Sequence, residues 1–298
     1  MNFKLSSDSW RIACITGILF WVCTSCAAQT DDSQPVILEE YSRIESAARG
    51  EISGIVKSRK HENVFWVHGD SGNQPKIFLI YKNGLIASDD NANGIELDDI
   101  DNIDWEDITV DDSGNLIVAD IGNNCFCREN LSFLIFPEPD IDEEMLFEYQ
   151  RIRIEYPEKL KFLGLAGTNS PDAEAVFYAD GAIYLLTKEK NGIDTQLYKL
   201  ETRDESTVNT LIPVSSFTFD DKVTASDFSE DGQSLAVLTS SSVWFFTDFT
   251  GDNFFTGTSQ KFLFRANQVE SVAFSGEQSL IIAEEEGQLY EVLLSDFK

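Results

Sequence analysis

Short segments in which hydrophobic and polar residues alternate follow one another from about residue 52 to the end of the chain. Turns rich in Gly, Asp and Asn separate them. Alternation with a period of two predicts β-strands, and no long stretch has the 3.6-residue spacing of an amphipathic helix. The sequence therefore predicts an all-β fold.

The predicted strands recur in groups. Five segments align with one another, and each leads through a polar turn into a second and a third apolar strand; they begin at Ile52, Trp105, Ala173, Ala225 and Val269. Groups of about four strands repeated at intervals of tens of residues are typical of a β-propeller. The sequence predicts a five-bladed propeller of four-stranded antiparallel blades over residues 27–298.

Closure of the predicted ring follows from the two ends of the chain. The residues before Ile52 and those after Glu270 together make up one further interval, so a strand within residues 36–44 is expected to complete the last blade. A six-bladed ring is the alternative. It would need an additional unit, for which residues 137–163 offer the most room.

Residues 1–26 are expected to be a signal peptide. Lys4 and Arg11 precede an apolar run over residues 12–23, which is too short to span a bilayer as a helix. Cleavage before Cys26 would leave a lipid-anchored protein, and cleavage after Ala28 would leave a soluble exported one. We favour the lipoprotein, in the periplasm or on the outer membrane, over the secreted form.

The charge of the chain restricts its partners. Asp and Glu number 52 against 22 Lys and Arg, which gives a formal net charge of -30. Nucleic acids and anionic lipid surfaces require basic patches, so neither is expected as a partner. A lipid on Cys26 would be the one link to a membrane. Cations, above all calcium, are expected companions, and we expect a monomer.

Two further features leave alternatives open. Cys125 and Cys127 have no second pair at zinc-ligand spacing, so they form either a disulfide or two loop thiols. Residues 89–94 match half of a calcium-binding loop, but Ile100 stands where a Glu is required. The neighbouring acidic run up to Asp112, which includes Asp104, is expected to add solubility and affinity for divalent ions without a defined geometry.

In a propeller the first strand of each blade lines the central channel. The corresponding side chains are three carboxylates and two hydroxyls: Ser53, Glu106, Glu174, Ser226 and Glu270. Carboxylates crowded into a channel repel one another, so protons or a cation must compensate them. Calcium suits such a set of oxygen ligands. A water-filled channel with raised carboxyl pKa values is the alternative.

The order Ser, Glu, Glu, Ser, Glu at these positions resembles the calcium-activated nucleotidase (apyrase) family. That resemblance implies a five-bladed propeller with one calcium ion in the central tunnel, held by the residues named above. The family has an Asp-Asp-Arg-Thr-Gly pattern after the second strand, whereas this chain reads His-Gly-Asp-Ser-Gly over residues 68–72. The missing arginine argues against nucleotide hydrolysis.

A closer resemblance is to exported bacterial propellers of unassigned activity. It rests on the motifs at residues 66–72, 102–108, 120–124 and 224–229, the second and third of which contain Asp-Trp-Glu-Asp-Ile and Asp-Ile-Gly-Asn-Asn. It implies the fold and export, and no particular reaction.

The loops that follow the second strands surround the expected channel mouth, and they are long in the first three blades. A pocket is expected there, with His68, Asp70, Asp120 and Lys188 as candidate catalytic residues and Asn123 and Asn124 as ligand-binding residues. His68 with Asp70 could form a general base pair, and Lys188 could hold an anionic group. Taken singly, each of these residues is more often an ordinary turn or surface residue, whereas the group as a whole predicts a site.

Two functions follow from this arrangement. The favoured one is an exported calcium-binding propeller that binds a small ligand or a protein at the mouth. The alternative is a calcium-dependent hydrolase of a phosphoester or lactone-like substrate.

Overall fold

The strands of the protein form five separate sheets. The computed structural model describes residues 34–87, 92–157, 170–189 and 194–298. The predicted signal peptide with Cys26, and residues 89–91 of the calcium-like loop, lie outside the described residues. Residues Gln34–Lys298 form one compact unit.

The strands occur in five successive groups along the chain. Two short strands come first, β1 (Val36–Ile37) and β2 (Ser42–Arg43). The first group contains β3 (Ile52–Lys57), β4 (Val64–Gly69), β5 (Lys76–Tyr81) and β6 (Ile95–Leu97). The second contains β7 (Trp105–Val110), β8 (Asn115–Asp120), β9 (Ser132–Pro137), β10 (Met145–Leu146) and β11 (Gln150–Glu155). The third contains β12 (Ala173–Ala179), β13 (Ala182–Thr187), β14 (Thr195–Leu200), β15 (Asn209–Thr210) and β16 (Ile212–Phe217). The fourth contains β17 (Val223–Phe228), β18 (Leu235–Thr239), β19 (Ser242–Thr247) and β20 (Thr258–Arg265), and the fifth contains β21 (Val269–Gly276), β22 (Ser279–Glu284) and β23 (Gln288–Leu293). Two single 3-10 turns, Phe254–Thr256 and Leu294–Asp296, complete the secondary structure of the described residues.

The five sheets are the blades of a propeller. In each blade the chain runs antiparallel from an innermost strand outward, and the innermost strands are β3, β7, β12, β17 and β21. Each of these lies against the innermost strands of its two neighbours, including β21 against β3, which closes the ring. The five-bladed prediction is confirmed. The six-bladed alternative is wrong, because β10 and β11 in the long second interval join blades 1 and 2.

The N-terminal segment completes the ring as predicted, through β2. Ser42 and Arg43 pair antiparallel with Leu289 and Gln288 of β23, so β2 is the outermost strand of blade 5. The predicted segment also contains β1, which instead pairs parallel with β20 at the edge of blade 4.

Three blades carry a fifth strand that the sequence did not predict. Strand β10 pairs parallel with β6, β15 with β11, and β1 with β20. In each case the added strand comes just before the outermost antiparallel strand of the next blade. The outer rim therefore links blade 1 to 2, blade 2 to 3, and blade 4 to 5.

The hydrophobic core is divided among the joints between blades. Five clusters of buried side chains fill the five spaces between adjacent blades. Both faces of most strands are therefore buried, unlike a sheet with one face in water. Among the described residues, no helix is long and apolar enough to cross a membrane.

Candidate functional site

Each innermost strand has a β-bulge near its start. The pairing with the second strand shifts register by one residue at the same step in all five blades, and the extra residues are Ser53, Glu106, Glu174, Thr224 and Glu270. A bulge leaves one residue unpaired and redirects its side chain. Four of the five are residues that the sequence analysis assigned to the channel.

The fourth blade differs from the prediction. Thr224, and not Ser226, occupies the bulge in β17. Ser226 lies two residues further along, and its N–H points across the axis to the Asp107 carboxylate, 3.2 Å away. The hydroxyls of both Thr224 and Ser226 are buried without a hydrogen-bond partner among the described residues.

A cluster of carboxyl groups lies where the innermost strands begin. We call it the mouth cluster; it consists of Asp70, Asp104, Glu106, Asp172, Glu174 and Glu270. One oxygen from each of Asp70, Asp104 and Glu106 lies within 4.8 Å of the others, and the same holds for Glu106, Asp172 and Glu174. Glu106 belongs to both groups and joins them.

Asp104 and Asp172 were not predicted as site residues. Each lies two residues before a bulged glutamate, in the sequences Asp104-Trp105-Glu106 and Asp172-Ala173-Glu174. The repeated Asp-X-Glu at the start of two innermost strands is the signal that could have identified them. The residue before the strand and the bulged residue meet at the same end of the channel.

Four carboxyl groups of the mouth cluster have strongly raised pKa values. Burial raises the pKa of Glu174 to about 7, and burial together with the nearby Glu174 charge raises that of Glu270 to about 8. Burial and then Glu174 also raise the pKa of Glu106 well above its usual value. Burial and then Asp70 raise the pKa of Asp104 to about 6. Near neutral pH, Glu270 is therefore mostly protonated and Asp104 mostly ionised, while Glu174 titrates there. A positive charge nearby would stabilise the ionised forms.

Lys188 supplies one such charge. It follows the last residue of β13, and its Nζ lies 2.6 Å from Glu174 Oε1. Burial by itself would lower the Lys188 pKa, but the Glu174 carboxylate raises it above its usual value. Lys188 is therefore already paired with a carboxylate of the mouth cluster, whereas the sequence analysis gave it an anionic ligand.

Asp120 anchors a loop rather than facing solvent. Its side chain is fully buried, and its Oδ1 accepts hydrogen bonds from Arg128 Nη2 at 2.7 Å and from Asp104 N at 3.2 Å. Arg128 also donates to the carbonyl of Gly122 at 2.6 Å. Asp120 and Arg128 together set the position of Asp104.

Asn123 has a similar supporting role. Its N–H donates to Asp172 Oδ1 at 2.7 Å, and its side-chain oxygen accepts from Cys127 N and Arg128 N, both at 2.9 Å. It is buried, whereas Asn124 is exposed. Cys125 and Cys127 form a disulfide at the tip of this loop.

His68 is not part of the mouth cluster. Its ring is fully buried, packs edge-on against Trp105 with centroids 5.6 Å apart, and places Nδ1 3.1 Å from the Gly69 carbonyl. Burial lowers its pKa to about 4, so the ring is neutral. The ring points toward Gly54 of β3, in the channel. We find no contact between His68 and Asp70 among the described residues, so the predicted general base pair is not seen.

Asp70 does reach the mouth cluster. It follows β4 and is half-buried. Asn102 donates to its backbone carbonyl and to that of Gly69, both at 2.9 Å, and accepts from Trp105 N at 3.1 Å. These bonds fasten the loop of blade 1 to the start of blade 2.

Two buried aspartates cross-link the innermost strands along the axis. Asp107 Oδ2 accepts hydrogen bonds from Val176 N in blade 3 and from Ser226 N in blade 4. Asp227 Oδ2 accepts from Phe274 N in blade 5 at 2.7 Å. Neither residue was predicted to have this role.

A cavity of about 850 Å³ lies beside the mouth cluster, between blades 5 and 1. Its lining includes Arg43, Arg49, Glu51, Gln268 and Glu285. The Asp70 charge helps to raise the pKa of Glu285, after burial and the Glu51 charge, which connects the cavity to the mouth cluster. The pocket predicted from the sequence was expected on this face over blades 1 to 3.

Comparison with known proteins leaves the activity open. No family model and no curated protein sequence matches this one. Among solved structures, the chain is similar to a Bacteroides thetaiotaomicron protein of unknown function, with a TM-score of 0.43, 10% identity, and 86% and 72% of the two chains covered. It is similar to Kuenenia stuttgartiensis hydrazine synthase, with a TM-score of 0.44, 10% identity, and coverages of 82% and 71%.

A third similar structure is PorZ, a surface component of the type-IX secretion system of Porphyromonas gingivalis. The TM-score is 0.36 and the identity 12%, over 82% of this chain. The chain spans only 25% of the length of PorZ. Likenesses at this level carry no information about function.

Proposed function

We propose that the protein is an exported calcium-binding propeller that binds a small ligand at the mouth of its channel. The observation that carries the proposal is the mouth cluster, in which two groups of three carboxylates share Glu106. Crowded acids with raised pKa values bind a divalent cation favourably, because the cation replaces their protons and removes their repulsion.

The donor atoms favour calcium over transition metals. The five side chains of the two groups of three all offer carboxyl oxygens, which calcium accepts in flexible geometry. The two histidines of the chain lie elsewhere: His68 packs in the channel, and His61 Nε2 lies 3.1 Å from the carbonyl of Pro139. The resemblance of Ser53, Glu106, Glu174 and Glu270 to the channel residues of the apyrase family also supports calcium.

The cavity of about 850 Å³ beside the mouth cluster is the proposed ligand site. Its volume falls in the range of small-molecule sites, and its lining carries both acidic and basic side chains. No side chain of the mouth cluster lines the cavity, but the charge of Glu51 in its lining acts on Asp70 of the cluster. A cation at the cluster would therefore act on a polar ligand in the cavity through its charge.

The decisive experiment is thermal unfolding of the protein with excess calcium and with a chelator, with calorimetric calcium titration in parallel. Free calcium at a hundredfold excess over its dissociation constant is expected to stabilise the fold by about 2.7 kcal/mol. Glu106→Gln keeps the side-chain volume and removes the shared carboxylate, so it should lose most of this stabilisation. Exposed Glu205→Gln is the control and should retain it. A parent protein that is equally stable in calcium and in chelator would rule the site out.

A calcium-dependent hydrolase is the second candidate. The raised pKa of Glu270, about 8, gives the mouth a carboxyl group that can donate a proton near neutral pH. Any calcium-dependent cleavage of phosphoesters or lactones should then disappear in Glu270→Gln while calcium binding persists. Glu270 is absent from both groups of three carboxylates, which makes this separation possible.

A further inference from the structure

A second cavity opens at the other end of the channel. We call it the opposite-face cavity; it is lined where innermost strands end, by residues that include Lys57, Val110, Phe228 and Gly276. Its volume is about 790 Å³. That size is typical of sites for ligands larger than a single amino acid.

The charges in the opposite-face cavity are segregated. Lys57 and Arg59 of blade 1 form a positive wall. Arg59 is held in place by donating from Nη1 to the carbonyl of Asp111 at 3.1 Å. The same Nη1 lies 3.9 Å from Asp112 Oδ1, so the guanidinium is held beside blade 2.

The facing wall is negative. Blade 4 contributes Asp227, Glu230 and Asp231, and blade 5 contributes Glu277. Glu230, Asp231 and Glu277 are exposed at the rim, whereas Asp227 is only 8% exposed and lies deep in the cavity.

Asp227 is electrostatically coupled to the positive wall. Burial raises its pKa to about 7, while hydrogen bonds from Phe274 and Phe228 N–H and the charges of Arg59 and Lys57 act in the opposite direction. Its two oxygens each accept a backbone N–H, at 2.9 Å from Phe228 and 2.7 Å from Phe274. This fixes the carboxylate while leaving lone pairs that can accept from a ligand.

Apolar side chains make up much of the remaining lining: Val56, Val110, Phe228, Phe274 and Leu294. The cavity therefore offers both apolar contacts and charged groups of either sign to a ligand.

We propose that the opposite-face cavity binds a short peptide with free ends. The peptide ammonium would face Asp227 and the acidic rim, its carboxylate would face Lys57 and Arg59, and its side chains would pack against the phenylalanines. A simple anion would meet the acidic wall, and a simple amine would leave the positive wall without a partner. The site is separate from the mouth cluster and does not depend on calcium.

Gly276 provides a variant that tests the cavity without disturbing the fold. A Cβ added at this position meets no atom within 4 Å, and the backbone is not in the left-handed region. Gly276→Leu is therefore expected to fold normally and to fill part of the cavity. Glu205→Leu places the same side chain at an exposed position outside the cavity and is the matched control.

Calorimetric titration with the dipeptide Leu-Leu, its N-acetyl form and its C-terminal amide is the direct test. Leu-Leu should bind with equal affinity in calcium and in chelator, and each blocked form should bind at least about tenfold more weakly, because one charged wall then lacks its partner. Gly276→Leu should abolish binding, and Glu205→Leu should leave it unchanged.

Three results would overturn the proposal. The first is no binding of Leu-Leu at millimolar concentrations. The second is unchanged binding in Gly276→Leu, which would place the peptide elsewhere. The third is equal binding of Leu-Leu and the diamine cadaverine, which would make the cavity a site for simple amines.

Discussion

Two glycines, Gly54 and Gly122, have no Cβ and so leave space for buried polar side chains near the channel. A Cβ on Gly54 would lie 2.2 Å from His68 Nε2, so the imidazole occupies the space that a side chain would fill. A Cβ on Gly122 would lie 1.9 Å from Glu106 Oε1 and 2.5 Å from Asp104 Cγ. Gly122 thereby allows two carboxylates of the mouth cluster to approach the loop backbone.

Gly54→Ala should destabilise the protein by about 1 to 3 kcal/mol, because the fully buried ring has no space into which to withdraw. Gly276→Ala adds the same atom where nothing lies within 4 Å, so its effect should stay within about 0.5 kcal/mol. Chemical denaturation of both variants measures the difference. Equal losses would show that the packing of His68 is not tight.

Lys188→Met should strengthen calcium binding by about tenfold, which corresponds to about 1.4 kcal/mol. The ammonium is 2.6 Å from Glu174 Oε1 and competes with any cation for that carboxylate. Calorimetric titration of parent and variant would check this, with Lys222→Met as a control at an exposed site. Weaker calcium binding in Lys188→Met would mean that the lysine supports the site instead.

At the scale of strands, alternation predicted where the inner strands lie but not how they are bulged. Four innermost strands begin at the residue predicted, whereas β17 begins at Val223 and not Ala225. The bulge adds a residue near the start of each innermost strand, and the hydrophobic pattern gives no sign of it. Because Ser226 and Ser53 are both serines, the fourth segment was aligned with the first at Ser226. Thr224 was missed for that reason.

Other errors have equally local causes. His68 lies in β4, whose residues are all buried, so alternation could not tell which way its ring points. Strands β1, β10 and β15 have two residues each, which is too short for any period to appear. The bulged acids Glu106, Glu174 and Glu270 were predictable, because each stands at the start of a clearly apolar strand.

Removal of the chain up to residue 44 should destabilise the propeller far more than removal up to residue 38. The longer deletion takes away β2, whose partner β23 then becomes an exposed edge, and also Ile44, which is 1% exposed. Loss of one buried Ile alone costs about 2 to 5 kcal/mol. The shorter deletion removes β1 from the rim of blade 4 and leaves β2 in place. Thermal unfolding of the two truncated proteins compares them; similar midpoints would argue that β2 does not close the ring.

At the scale of the whole molecule, the mouth cluster makes stability depend on pH. An ordinary glutamate has a pKa near 4.3. In the folded protein burial raises the pKa of Glu174 to about 7 and that of Glu270 to about 8, so between these limits the folded state binds more protons than the unfolded state. The free energy of unfolding should then fall as pH rises from about 4.5 to about 8, by at most about 1.4 kcal/mol per pH unit for each group, and level off above that.

Denaturation at pH 5 and pH 8, in chelator and in excess calcium, tests this dependence. In chelator, the stability that the protonated mouth cluster contributes at pH 5 should be lost at pH 8. In calcium the loss should be much smaller, because the cation replaces the protons. Parallel pH profiles under the two conditions would show that calcium does not bind these carboxylates.

The pairing of β2 also determines when the ring can close during synthesis of the chain. A chain made from its N-terminus produces residues 42 and 43 near the beginning, yet their partners Leu289 and Gln288 are near the end. Strand β1 likewise waits for Phe264 and Arg265 of β20. Strand β1 therefore has no partner until the fourth blade has been synthesised, and β2 has none until the fifth. A nascent chain that stops short of the fifth blade is an open arc with unpaired edges.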